Sequence, residues 1–116
     1  MPRPVTVICQ YRVAPGNEDA FRGLLAQHWP VLESLGLATA DRPLHYQGAE
    51  EGGRPLFVEI FSWVDEEASG LAHNHPEVMA IWEPMDKLTE RRGGRPNMEF
   101  PHVHPIQVLA ASRRKA

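Results

Sequence analysis

The stretch PLHYQGAEEGGRPLFVEIFSWV, Pro43–Val64, decides the fold. Its second half, Leu56–Val64, is rich in β-branched and aromatic residues. Phe57, Glu59, Phe61 and Trp63 share one face there, and Leu56, Val58 and Ile60 share the other, as in a strand. The first half, Pro43–Glu50, reads as a shorter strand. EGGRP between them is a turn, so the two strands form a hairpin.

A strand and a helix precede this hairpin. Val5–Val13 alternates, with Val5, Val7, Cys9, Tyr11 and Val13 on one face. APGN breaks it. Asn17 is a plausible N-cap, and Glu18 and Asp19 follow where the helix dipole favours acids. Phe21, Leu24, Leu25, His28, Leu32 and Leu35 then fall on one helical face, and Gly36 ends it. Pro30, inside this helix, predicts a kink or a break.

Two short helices and a strand follow the hairpin. Asp65 is placed to cap a helix over EEASGLAH, and Pro76 starts a second one. Val78, Ile81, Trp82, Met85 and Leu88 line one face of that second helix, and Pro84 should bend it. RRGGRPN is a loop. Met98–Leu109 is a last extended segment, in which Pro101 and Pro105 are expected to turn their missing N–H groups away from a pairing partner.

The order β-α-β-β-α-β predicts a ferredoxin-like α+β fold, an antiparallel sheet with helices on one face. Both faces of the Leu56–Val64 strand are apolar, so the second face needs a cover as well. The expected cover is another copy of the chain, a homodimer. One domain is expected over residues 1–110, with a basic tail over 111–116 that contains SRRK.

Composition narrows the partners. A net charge of −3 over 116 residues, with no basic face, argues against nucleic acid. No apolar run approaches the length of a membrane span. Cys9 is the only cysteine, which rules out a disulfide within the chain and suits a reducing compartment; the cytoplasm is the expected location.

Several residues are candidates for chemistry. In GLAHNHPEVMAIWEP, His73 ends one helix and His75 begins the next, so the two imidazoles should diverge. His73 could take a phenol proton or donate a hydrogen bond, because an imidazole titrates near neutrality. Glu59, in mid-strand among aromatic residues, must be paired or protonated. It is either a cavity acid or the partner of Arg12 or Arg54. Trp63, Trp82 and Trp29 could line a pocket for a flat molecule, with Phe61 beside them and His28 on the facing helix. Cys9 points inward with the valines and reads as an inert part of the same pocket wall, not as a nucleophile. His102 and His104 alternate along a strand and would need a further ligand to hold a metal, so no metal site is assigned.

The segment FVEIFSWVDEEASGLAHNHPEV, set in this topology, resembles the antibiotic biosynthesis monooxygenase domain, a family of dimeric α+β barrels. The resemblance rests on Glu59, Trp63, Asp65, Glu66, Glu67, Ala68 and His73. It implies oxygenation of an electron-rich aromatic, a quinol or polyphenol, without a cofactor. His73 would be the base or donor and Glu59 the orienting acid, with Trp63, Trp82 and His28 around the substrate. A haem-degrading branch of the family carries an Asn on the first strand, where this chain has Cys9, or Gln10 one place on. Two other readings are a module that binds a small hydrophobic metabolite without turnover, and a metal enzyme built on His102 and His104.

Overall fold

The computed structural model describes residues 3–109. The basic tail at 111–116 lies outside the described residues. The elements run β1 (Val5–Tyr11), α1 (Glu18–Ser34), β2 (Leu44–Glu50), β3 (Arg54–Trp63), α2 (Ala68–Ala72), α3 (Pro76–Leu88), β4 (Met98–Glu99) and β5 (His102–Val103). The sheet is antiparallel and ordered β2-β3-β1-β4, with β5 also on β1. This is the ferredoxin-like arrangement.

The hairpin register is set at its turn. Gly52 and Gly53 take positive φ, which a side chain resists, and the strands close with Glu50 opposite Arg54. From there His45 falls opposite Glu59 and Tyr46 opposite Val58. On the other flank of β3, Cys9 lies opposite Glu59 and Val7 opposite Phe61.

The alternation sorts the sheet into two faces. Val7, Cys9, Tyr11, Phe57, Glu59, Phe61 and Trp63 are buried beneath the helices, against Phe21, Leu25 and Leu32 of α1 and Val78, Ile81 and Met85 of α3. The opposite face carries Ile8, Leu56, Val58 and Ile60, only partly buried, and Leu44 and Tyr46, both exposed.

Helix ends follow the sequence with one difference. The N–H of Gly36 bonds to Glu33 and that of Leu37 to Leu32, closing α1 with a left-handed glycine. Asp65 accepts from the N–H groups of Glu67 and Ala68 at the start of α2. Asn17 holds the N-cap position of α1 but makes no cap bond. Its amide donates to the Leu88 carbonyl instead, pinning the start of α1 to the end of α3. Neither Pro30 nor Pro84 breaks its helix.

The last strand departs from expectation. β4 and β5 keep one register against β1, but pairing lapses between them at Phe100–Pro101. The Pro101 carbonyl accepts from Ile8 N–H, so it faces β1. In an antiparallel ladder a residue's N–H shares that side, so the missing donor also faces β1 and interrupts the ladder. Proline here is not turned away from its partner.

Arg12 was a possible partner for Glu59, and Arg54 another. The structure gives Arg12 other partners. It is 1% exposed, with Nε 3.1 Å from Glu50, and Nη1 2.8 Å from Glu99 and 2.7 Å from the Pro96 carbonyl. Arg54 pairs with Glu90. Both arginines therefore serve the joint between the hairpin and the 89–99 loop, and neither touches Glu59.

Candidate functional site

Glu59 is the centre of a buried polar cluster. Its parity on β3 points it under α1, and it is 0% exposed. Four residues from three elements surround it. Tyr11 on β1 donates its hydroxyl to Oε1 at 3.0 Å. His28 on α1 places Nδ1 2.7 Å from the same oxygen. His45 on β2 places Nε2 2.8 Å from Oε2. Cys9 is its cross-strand neighbour.

One hydrogen bond settles the His28 tautomer. Trp82 Nε1 lies 2.8 Å from His28 Nε2, and an indole N–H can only donate. His28 Nε2 therefore bears a lone pair, and Nδ1 carries the proton that it gives to Glu59. The result is a chain, Trp82 to His28 to Glu59 to His45, running from α3 across α1 to the sheet edge.

Charge follows from these contacts. Burial works against an ionised Glu59, but the hydrogen bonds from His28 and His45 prevail and hold the carboxyl well below the usual range. The His45 imidazole is pushed up, chiefly by its bond to Glu59. Tyr11 and Cys9 are both pushed up, first by burial and then by negative charge nearby, so both keep their protons. A thiol held in that form is no nucleophile.

These shifts give a pH prediction. His45 is raised above its ordinary 6.5, so its contribution to stability is full below that value and is lost as pH rises through the raised one. Glu59 is lowered from 4.5, so its contribution holds above that value and is lost as pH falls through the lowered one. Urea midpoints should be highest between these limits. His45→Gln should flatten the alkaline fall and keep the acid one.

A cavity of about 320 Å³ opens on the α3 side of His28. Cys9, His28, Phe61, Trp63, His73 and Trp82 line it, with Met85, Met98, Phe100 and His102. The lining is mostly apolar. Phe61 packs edge-on against Trp63 at 5.0 Å and against His28 at 5.7 Å between ring centroids. Trp63 Nε1 is buried and has no hydrogen-bond partner among the described residues.

The expected pocket residues divide accordingly. His28, Trp63, Trp82, Phe61 and Cys9 meet in the cavity. Trp29 does not line it. One position after His28 on α1, it turns away by roughly 100° and donates to the Thr39 carbonyl. His73 stands at the exposed rim, 4.8 Å edge-on from Trp82. Glu59 lies behind His28 and does not line the cavity; the imidazoles it binds are His28 and His45, not His73. His102 lines the cavity and, with His104, a separate open groove beside Asp65–Glu67. No three His, Cys, Asp or Glu side chains among the described residues are grouped to hold a metal.

His45 was missed in the sequence. Its signal was available once Glu50 faces Arg54, because counting back along both strands sets His45 against Glu59.

SnoaB from Streptomyces nogalater, a cofactor-independent oxygenase, superposes with a TM-score of 0.66 at 17% identity, covering 94% of this chain and 99% of that one. An antibiotic biosynthesis monooxygenase superposes at 0.64 and 14% identity, over 89% of this chain and 99% of its own. The fold is that of the antibiotic biosynthesis monooxygenases. A dimeric ferredoxin-like protein of unknown function from Jannaschia sp. CCS1 shares it, at 0.66 and 11% identity over 88% and 99% of the two chains. No protein-family model and no curated protein matches the sequence. No helix among the described residues is long and apolar enough to cross a membrane.

Proposed function

We propose that the chain is a cofactor-independent oxygenase of an electron-rich hydroxylated aromatic, such as a quinol or polyphenol. One observation carries this reading: an aromatic-lined cavity bounded by Trp63, whose buried N–H has no partner among the described residues. A buried donor without a partner costs about 1–3 kcal/mol. A ligand with an oxygen acceptor on a flat apolar body relieves that cost and fills the space. SnoaB, with the same fold, is a cofactor-independent oxygenase.

The residues then have separate tasks. An imidazole at the cavity takes the phenol proton, leaving an electron-rich anion that reacts with dioxygen. Glu59 orients His28 for this, and His73 at the rim supplies a second imidazole. Trp63 donates to the oxyanion, in a site from which the aromatic walls exclude water.

Oxygen uptake with a quinol panel tests the proposal. Uptake is expected in the parent chain and in Glu90→Ala, and lost in His28→Ala. His73→Ala measures the share of the rim imidazole. Trp63→Phe removes one neutral hydrogen bond, about 1 kcal/mol, and should weaken ligand binding roughly fivefold. Binding without any uptake would leave a metabolite-binding module instead.

A homodimer is part of the proposal. Leu44 and Tyr46 are exposed beside Val58 and Ile60 on the sheet face that no helix among the described residues covers. A contiguous apolar face of this kind marks an interface. The dimeric neighbour has the same fold. Tyr46→Asp should sediment as a monomer where the parent sediments as a dimer.

A further inference from the structure

Glu59 has one negative charge and two imidazoles. His28 Nδ1 lies 2.7 Å from one oxygen, and His45 Nε2 lies 2.8 Å from the other. The imidazoles face different surroundings. His28 is buried and lines the cavity, whereas the His45 side chain is 42% exposed in a recess on the β2 flank of α1, beside Arg22 and Leu25. A single buried carboxylate balances one adjacent cation, and a second imidazolium on it would leave uncompensated positive charge under α1.

We propose that His45 is the proton outlet of the cavity: His28 gains a proton from a hydroxylated ligand as His45 loses one to solvent, with Glu59 holding one positive charge between them. This rests on the reading that the cavity takes a hydroxylated aromatic. The exchange balances. The ligand O–H bond breaks and an N–H forms at His28 Nε2, in the place that the Trp82 N–H occupies. His45 gives its Nδ1 proton to water and keeps Nε2–H on Glu59. The carboxylate stays ionised throughout, and the three-residue cluster keeps its net charge.

Trp82 is the counterpart of this exchange. Its N–H blocks the only lone pair on His28, so His28 takes no proton until the indole is displaced. While Trp82 is docked, a positive charge on the cluster can sit only on His45, whose imidazole is pushed up by its bond to Glu59. Other ionisable groups around the cluster do not compete. Tyr11 and Cys9 keep their protons, Arg22 is paired with Asp19, and His73 contacts Trp82 rather than Glu59.

Nitrogen NMR of histidine-labelled protein tests the exchange, with 4-nitrophenol as the probe ligand. Near neutral pH, His45 is expected as the imidazolium and His28 as the neutral Nδ1–H tautomer. On 4-nitrophenol binding the two should swap, and the bound probe should show the phenolate absorption. A swap absent from a bound complex, with His45 still cationic, overturns the proposal. Failure of 4-nitrophenol to bind would count against the hydroxylated-aromatic reading alone. Trp82→Phe then decides without a ligand. It frees His28 Nε2, so the charge can shift inward and the His45 midpoint should fall by about one pH unit. An unchanged His45 midpoint in Trp82→Phe overturns the exchange, whatever the probe does.

Discussion

Glu59→Ala is expected to lose about 3–5 kcal/mol of folding stability, the loss typical of removing one partner from a buried charged cluster. The carboxylate is wholly buried and accepts from Tyr11, His28 and His45. Without it, the Tyr11 hydroxyl and His28 Nδ1–H become donors without acceptors beneath α1. Each such orphan is costly because water cannot reach it. The cavity left by the side chain adds to the loss. Glu59→Gln should lose less, since its amide oxygen still accepts from one side. Chemical denaturation of both variants reads the difference. A Glu59→Ala variant within about 1 kcal/mol of the parent would show that water replaces the carboxylate and that the cluster is not dry.

Arg12→Met has the second large effect, a loss of about 3 kcal/mol. Arg12 crosses from the end of β1 to two carboxylates and a carbonyl, joining the hairpin end to the 96–99 segment. Arg92 shares Glu50 with it and completes the joint, donating to the Val13 and Pro55 carbonyls as well. Methionine can fill the space but leaves Glu50, Glu99 and the Pro96 carbonyl short of a donor. Arg12→Lys should not rescue, because one ammonium cannot reproduce a planar fork. Arg22→Met is the control, since Arg22 pairs on the surface. Equal stabilities for Arg12→Met and Arg22→Met would remove Arg12 from the account.

The fold was legible because its signals are local. Period-two alternation in Leu56–Val64, the Gly-Gly turn and the stop at Gly36 each specify a nearby geometry. The order of elements then leaves few topologies. The site was legible only in part, because its contacts are long-range. His28 was placed on the apolar face of α1, but nothing within one helix turn says that a carboxylate waits below it. Trp29 was grouped with the other tryptophans by residue type, although its helical position next to His28 turns it elsewhere. Arg12 falls on the other parity from Cys9, Tyr11 and Val13 in its strand. It is buried because a distant loop folds over it, which no local pattern records. Parity with Pro105 does not fix which way Pro101 faces; the hydrogen bond from Ile8 does.

The closing turn of α1 reaches further than the helix itself. After Gly36 the chain runs along the end of β3: Val64 N–H bonds to the Leu37 carbonyl, Thr39 N–H to the Ser62 carbonyl, and Ala38 pairs with Trp63. Trp29 fastens Thr39 from above. The strand that carries Phe61 and Trp63 is thus clamped along both edges, and the floor of the cavity is stiff. The rim is α2, a helix of five residues, and the His73–Pro76 corner leading into α3. This short helix and its corner are the part of the wall that opens locally at a free-energy cost far below global unfolding. Amide hydrogens from Leu71 to Asn74 should exchange well ahead of those in β3, which marks the corner as the soft side of an otherwise stiff cavity.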